Sequence, residues 1–293
     1  MKLFFWKKVL FLAVFWFFFG DNCEIVEINK HLGRSDLSQK YKDIYNLSIK
    51  DKENFWKKVS NDIYWYKKPT KILNSDNPPF YKWFEDGVTN TCYNALDLHI
   101  ENGRGKKLAI IYDSPITGIQ KKISYNELKE KVALFAGALK NQGVAKGDRV
   151  IIYMPMIPEA VITMLACGRI GAVHSVVFGG FAANELASRI DDSKAKLIVT
   201  ASCGYEPGRT VHYKPLVNKA LELAKHKPEK CIIFQREKDK ADLNPSIDIT
   251  WEESLKNVKP AECEQMNAND YAYILYTSGT TGLPKGIVRD IGG

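Results

Sequence analysis

The string Thr277-Ser-Gly-Thr-Thr-Gly-Leu-Pro-Lys-Gly286 packs four hydroxyls, three glycines and one lysine into ten positions. Gly279 and Gly282 let the backbone turn tightly and bring N–H groups close to an anion. Thr277, Ser278, Thr280 and Thr281 add hydroxyl donors that can also reach a metal ion, and Lys285 adds a full positive charge. An apolar run, Tyr271 to Tyr276, feeds the string and reads as a strand. Together these residues have the make-up of a phosphate cradle. The pattern is not a Walker A loop, which needs Gly-Lys-Ser/Thr opening a helix. Pro284 and Gly286 flank the lysine, so the spacing predicts a lid-like loop rather than a helix start. The plain alternative is a flexible Ser/Thr/Gly turn with a solvated lysine.

The elements that must hold such a loop can be read upstream. From Leu108 onward strand and helix alternate. Ala109–Tyr112, Arg149–Tyr153, Ala172–Val177, Lys196–Thr200, Cys231–Phe234 and Tyr271–Tyr276 read as strands. Ser124-Tyr-Asn-Glu127 is a capping-box pattern ahead of the apolar stripe Leu128, Val132, Phe135, Ala136 and Leu139, and Gly143 closes that helix. Glu159–Arg169, Asn184–Asp191 and Tyr213–His226 read as further helices, and Gly179-Gly180 as a tight strand-to-helix turn. Repeated βα units predict an α/β fold with a doubly wound, parallel sheet and helices on its faces. Ahead of it, about Leu37 to Leu73 has helical character, with Phe55, Trp56 and Val59 at helical spacing. Pro69 and Pro78-Pro79 punctuate this segment, and the aromatics of Phe80–Phe84 and the Asn90–Asn94 stretch lead into the main domain as core anchors. His174 could serve as a base, but reads as a buried structural histidine.

Composition sets outer bounds. A chain of 293 residues, 45% hydrophobic, 26% charged and 12% aromatic, is a globular protein with a sizeable core rather than a disordered one. The formal charge is +8, and residues 1–75 hold 14 Lys and Arg against 8 Asp and Glu. There is no nucleic-acid motif, and these cations alternate with aromatics, so they read as a solvated basic surface. Cys23, Cys92, Cys167, Cys203, Cys231 and Cys263 show no metal-ligand spacing and are expected as reduced, mostly buried thiols. Lys7 and Lys8 precede an apolar run, Val9 to Gly20, that is too short for a standard span and shaped more like a signal peptide. No clear cleavage site follows it, and an alternative or mis-assigned first exon remains open.

The loop string resembles the phosphate loop of the adenylate-forming superfamily, to which acyl-CoA synthetases belong. Gly171-Ala-Val-His-Ser-Val-Val-Phe-Gly-Gly-Phe181 with Leu186-Ala-Ser-Arg-Ile190 resembles acetyl-CoA and propionyl-CoA synthetases. The likeness, running from about Leu37 to Gly293, is strongest to short-chain acyl-CoA synthetases of the mitochondrial, propionate-preferring type. Behind the apolar N-terminal segment over 1–20, signal-like or non-native by its residues, it implies an acetyl-CoA-synthetase-type N-terminal segment over 37–96 and an incomplete AMP-binding domain over 97–293. The implied reaction joins propionate or acetate to coenzyme A, with ATP cleaved to AMP and pyrophosphate through an acyl-adenylate. ATP, Mg²⁺ and coenzyme A are the implied small-molecule partners, and nucleic acid is not one.

By the same resemblance Thr277, Ser278, Gly279, Thr280, Thr281, Gly282 and Lys285 hold the ATP phosphates. Glu206, Pro207, Gly208 and Arg209 fall in the segment that touches coenzyme A, with Glu206 standing where an arginine is often found. A surface arginine in a Gly-Pro loop is the alternative. No catalytic residue and no metal ligand is assigned within the chain, because the adenylation lysine of the family belongs to a mobile C-terminal domain beyond residue 293. An inactive truncated product that binds phosphate or a partner is therefore the alternative expectation. The resemblance implies the mitochondrial matrix. The cytosol is the alternative, or a secretory or membrane location if residues 1–20 are a genuine signal, and any membrane contact would run through those residues.

Overall fold

The apolar runs beginning at Arg149, Val173, Leu197, Lys230 and Tyr271 become strands of one sheet in the computed structural model, which describes residues 34–277 and 284–293. The strands are β1 (Arg149–Met154), β2 (Val173–Phe178), β3 (Leu197–Ala201), β4 (Lys230–Phe234), β5 (Asp248–Thr250), β6 (Tyr271–Thr277) and β7 (Lys285–Asp290). They stand in the order β5-β4-β3-β1-β2-β6-β7. Neighbours run parallel except β6 and β7, which form an antiparallel hairpin at the edge. A parallel sheet covered on both faces needs continuous apolar strands. Accordingly Val150, Ile151, Ile152, Tyr153, Ile198, Val199, Ile232 and Ile233 are all fully buried.

The helices are α1 (Arg34–Lys50), α2 (Lys52–Val59), α3 (Tyr125–Asn141), α4 (Pro158–Arg169), α5 (Ala183–Ser193), α6 (Tyr213–Leu223) and α7 (Trp251–Ser254). The capping box forms as its spacing predicts. Glu127 N–H donates to Ser124 Oγ at 3.3 Å, and Ser124 N–H donates to Glu127 Oε2 at 2.7 Å. The stripe Leu128, Val132, Phe135, Ala136 and Leu139 is fully buried, and Gly143 leaves the helix at φ +84°. Phe135 stacks on Trp251 of α7 with ring centroids 3.8 Å apart.

Two sequence expectations are corrected. The run at Ala109–Tyr112 is a strand, but it pairs with Ile119–Ser124 in a separate antiparallel ribbon and takes no place in the parallel sheet. Its partner carries Gln120, Lys121 and Lys122, all exposed, so the ribbon lies on the surface. The helical stretch expected to reach Leu73 ends at Val59, with one 3₁₀ turn over Ser60–Asp62. Beyond it the backbone of Tyr66 and Lys67 bonds to Val88, while the rings of Tyr64, Tyr66 and Tyr93 cluster at 4.6–5.5 Å. Packing of large rings outweighs weak helix propensity there.

This N-terminal segment is pinned to the sheet domain by polar groups. Asn90 Nδ2 donates to the carbonyls of Gly168 and Arg169 at the end of α4 and to that of Glu264, at 2.8–3.2 Å. Asp97 takes a two-pronged ion pair from Arg169, at 2.7 and 3.2 Å, and a third contact from Lys129 at 3.0 Å.

Candidate active site

The phosphate-loop string joins β6 to β7. Thr277 is the last residue of β6 and Lys285 the first of β7, and the two face each other in register. Ser278, Gly279, Thr280, Thr281 and Gly282 lie outside the described residues. Both described ends are exposed, and Lys285 opens a strand rather than a helix, in keeping with the Pro284 and Gly286 that flank it. The root of the hairpin is fixed from α5. Tyr276 Oη donates to Asp192 Oδ2 at 2.6 Å, and the Arg189 guanidinium lies over the rings of Tyr276 and Phe181 at 5.0 and 4.9 Å. Burial, then the Asp192 carboxylate, push the Tyr276 phenol above its usual pKa, so it stays a donor. Gly286 sits against this anchor, where a Cβ would come within 3.2 Å of Asp192 Oδ2. Asp192 could not be singled out from sequence, and Arg189, though inside the Leu186–Ile190 string, carried no sign there of this stacking role.

The Glu206–Arg209 string forms a second hairpin. Cys203–Glu206 pairs antiparallel with Arg209–His212, joined by Pro207-Gly208. Gly208 takes φ +78° with open space around it, so backbone conformation demands glycine at this turn. Arg209 is not free. Its Nε and Nη2 both lie 2.7 Å from Glu206 Oε2. The acid at the position where an arginine is often found is thus the partner that neutralises Arg209.

Both candidate strings lie at the carboxyl ends of parallel strands, where ligands of doubly wound sheets bind. The hairpin leaves the end of β3, and Gly179-Gly180 leaves the end of β2. Between them stands Tyr213, at the start of α6, whose ring lies 5.0 Å from that of Tyr153. A Cβ on Gly179 would come within 2.2 Å of Tyr213 Oη, and one on Gly204 within 2.6 Å. Close approach to Tyr213 is what requires glycine at 179, where φ is not positive. Burial, with Glu206 acting in the same direction and Arg236 against it, pushes the Tyr213 phenol up to about 12.

His174 lies within β2, opposite Tyr273 of β6, with ring centroids 5.7 Å apart. Its Nδ1 is buried without a hydrogen-bond partner among the described residues, and desolvation lowers its pKa to about 4, so the ring is neutral near pH 7. Four cysteines, Cys92, Cys167, Cys203 and Cys231, are buried free thiols, and Cys263 is partly buried; Cys23 lies outside the described residues. Although 171 positions apart in sequence, Cys92 and Cys263 meet beside Asp97, with donor atoms of the three within 4.8 Å. Asp97 is already committed to Arg169 and Lys129 there. Among the described residues no helix is long and apolar enough to cross a membrane, and residues 1–20 lie outside them.

The fold is of the doubly wound α/β class, with a mostly parallel sheet whose carboxyl edge carries the β6–β7 connection and the Glu206–Arg209 hairpin. The chain belongs to the AMP-binding enzyme family, which residues 99–292 match, while residues 41–95 match the acetyl-coenzyme A synthetase N-terminus family. It is 52% identical over 254 residues to acyl-CoA synthetase short-chain family member 3, mitochondrial, of Mus musculus, a match covering 86% of this chain and 37% of the relative. It is 44% identical over 256 residues to the acetyl-coenzyme A synthetase of Pasteurella multocida, covering 86% of this chain and 39% of the relative. The solved acetoacetyl-CoA synthetase from Streptomyces lividans superposes with a TM-score of 0.76 at 26% identity, over 85% of this chain and 38% of that one. The chain thus spans less than two fifths of the length of each of these three proteins.

Proposed function

We propose that this chain is the ATP-phosphate- and coenzyme-A-contacting portion of a short-chain carboxylate–CoA ligase. The reaction takes ATP, a short carboxylate such as propionate or acetate, and coenzyme A to acyl-CoA, AMP and pyrophosphate through an acyl-adenylate. The observation that carries this reading is the hydroxyl- and glycine-rich string joining Thr277 to Lys285, the exposed facing ends of β6 and β7, on a sheet whose carboxyl edge also bears the Arg209 hairpin. A carboxylate and ATP are both anions, and their repulsion must be screened before the carboxylate oxygen can attack the α-phosphorus. The backbone amides of residues 278–282, the hydroxyls of Thr277, Ser278, Thr280 and Thr281, and the Lys285 ammonium supply that screening along the phosphates. They stabilise the charge that builds on the leaving pyrophosphate. ATP brings Mg²⁺ as part of the substrate, where it neutralises phosphate charge. A glycine-rich tip can close over ATP and reopen to release pyrophosphate.

Glu206, Pro207, Gly208 and Arg209 are assigned to coenzyme A, with Arg209 reaching a phosphate once Glu206 lets it go. The names of the mammalian relatives support a mitochondrial location. The test is Lys285→Ala in the natural protein that carries this sequence. Carboxylate-dependent ATP–pyrophosphate exchange should fall by a factor of about 10² to 10³, the usual scale for losing one such electrostatic contact. Preformed propionyl-adenylate should restore most thioester formation, because the ATP phosphates are gone by that step. Equal loss of both half-reactions would remove Lys285 from the role given to it.

A further inference from the structure

Arg236 is a cation without an anion. It lies two residues beyond the carboxyl end of β4 and is only 9% exposed. Among the described residues no carboxylate lies within ion-pair distance of its guanidinium, and no side-chain hydrogen bond satisfies its donors. Glu237, next in the chain, is exposed and forms no ion pair with it, and the acids across the hairpin and three residues on are engaged elsewhere. Glu206 holds Arg209, and Asp239 faces His212 Nδ1 at 3.4 Å. What fixes Arg236 is its backbone and a ring. Its N–H donates to Ser202 Oγ at 2.9 Å, Ser202 Oγ donates to the Asp239 carbonyl at 2.7 Å, and the guanidinium stacks 4.6 Å from the centroid of Tyr205. A stacked guanidinium keeps its in-plane N–H groups free for an acceptor. None of its nitrogens is a buried atom lacking a partner, so the open side of the guanidinium reaches solvent, where an incoming anion can meet it.

Its position adds a second argument. The ends of the neighbouring strands β3 and β4 meet here: Ser202 follows β3 and Arg236 follows β4, joined by the Arg236 N–H on Ser202 Oγ. Such a convergence at the carboxyl edge is where doubly wound sheets take ligands. Tyr205 and Glu206 are adjacent on one strand, so their side chains leave opposite faces of the ribbon. Arg236, stacked on Tyr205, therefore stands on the face away from the Glu206–Arg209 pair. The two arginines flank the hairpin.

We propose that Arg236 is a phosphate-binding residue, forming an anion subsite separate from that of Arg209, so that a ligand bearing two phosphate centres straddles the Cys203–His212 hairpin. This rests on the reading that the hairpin serves coenzyme A, which carries a 3′-phosphate and a 5′-diphosphate. Arg209 takes one and Arg236 the other.

The test titrates coenzyme A, dephospho-coenzyme A and inorganic phosphate into the natural protein by calorimetry, with the guanidinium ¹⁵N resonances followed by NMR. Arg236→Gln, Arg236→Lys and Arg209→Ala are compared at matched melting temperature. Arg236→Gln should weaken coenzyme A about 10- to 100-fold, the scale of a lost charge-assisted bidentate contact. Arg236→Lys should fall between Gln and wild type. The loss in Arg236→Gln should persist with dephospho-coenzyme A, whereas that in Arg209→Ala should vanish. If coenzyme A affinity drops in Arg209→Ala but not in Arg236→Gln, the hairpin reading stands and the Arg236 subsite is refuted. If both losses vanish with dephospho-coenzyme A, the arginines share one phosphate and the separate subsite is refuted. If coenzyme A does not bind but phosphate still shifts the Arg236 resonance, the subsite stands and the coenzyme A assignment falls. Should none of the three probes shift that resonance, Arg236 is a packing residue.

Discussion

Replacing Asp97 by Asn removes one charge and almost no volume, and it should cost the fold several kcal/mol. Asp97 and Arg169 have side chains only 5% and 1% exposed, so neither can turn to water. The variant leaves the Arg169 guanidinium with its Nε bond to the Ala261 carbonyl, at 2.6 Å, and a 3.7 Å contact to the solvent-screened Glu262 carboxylate, but without its buried counter-charge. Breaking one side of a buried pair costs about 3–5 kcal/mol. Lys129, at 38% exposure, can swing into solvent, so its share is at most about 1 kcal/mol. Burial opposes ionisation of Asp97, but the hydrogen bonds and charge of Arg169, then those of Lys129, win and hold the carboxyl below its usual range. The folded-state pKa is therefore below the unfolded one. The contribution is complete above about pH 4 and is lost as pH falls through the depressed folded value. Urea unfolding followed by tryptophan fluorescence should give a gap of about 3–5 kcal/mol between wild type and Asp97→Asn at pH 7, narrowing on acidification. Asp97→Leu combined with Arg169→Met should recover most of the loss, because no charge is then stranded. A gap under about 1 kcal/mol, as for a surface pair, or one that widens as pH falls, would refute this reasoning.

His174, lowered to about 4 by burial, must protonate on unfolding between its ordinary value and that one, so stability should fall as pH drops from about 6.5 toward 4. His174→Phe should flatten that limb by up to about 3 kcal/mol, less where water reaches the ring edge, and an unchanged pH profile would return the group to solvent. Glu206→Gln should free Arg209 and lower KM for coenzyme A, while Arg209→Ala should raise it with pyrophosphate exchange unaffected; opposite signs are the diagnostic result. Gly179→Ala should lose about 1–3 kcal/mol by displacing Tyr213, and part of that should return in a Tyr213→Phe background, read from thermal melts.

Five of the seven strands, β1 to β4 and β6, were legible because their centres are apolar, whereas β5, only three residues long, and β7, which carries Lys285, Arg289 and Asp290, were not. The α3 helix was legible down to its first hydrogen bonds, since a capping box is a local code in four residues. The ribbon at Leu108 was misplaced because an isolated strand says nothing about which partner it finds, and Ile119–Ser124 is too polar to read as one. The helix running past Val59 was over-extended because long-range packing of Tyr64, Tyr66 and Tyr93 overrides a local period. At the site, the loop string and the Arg209 turn stood out by residue type. The Glu206–Arg209 pair, the Asp192 anchor and the unpaired Arg236 did not. Their meaning depends on what lies beside them in space, as does the meeting of Cys92 with Cys263 beside Asp97.

The most direct measurement of the central claim is the nucleotide product formed when the natural protein is incubated with ATP, Mg²⁺, coenzyme A and a short carboxylate. Phosphorus NMR distinguishes AMP with pyrophosphate from ADP with phosphate. Propionate or acetate should produce AMP, pyrophosphate and the matching acyl-CoA in equal amounts, with no AMP when the carboxylate is left out. ADP as the product, or AMP formation indifferent to carboxylate, would contradict an adenylate-forming ligase.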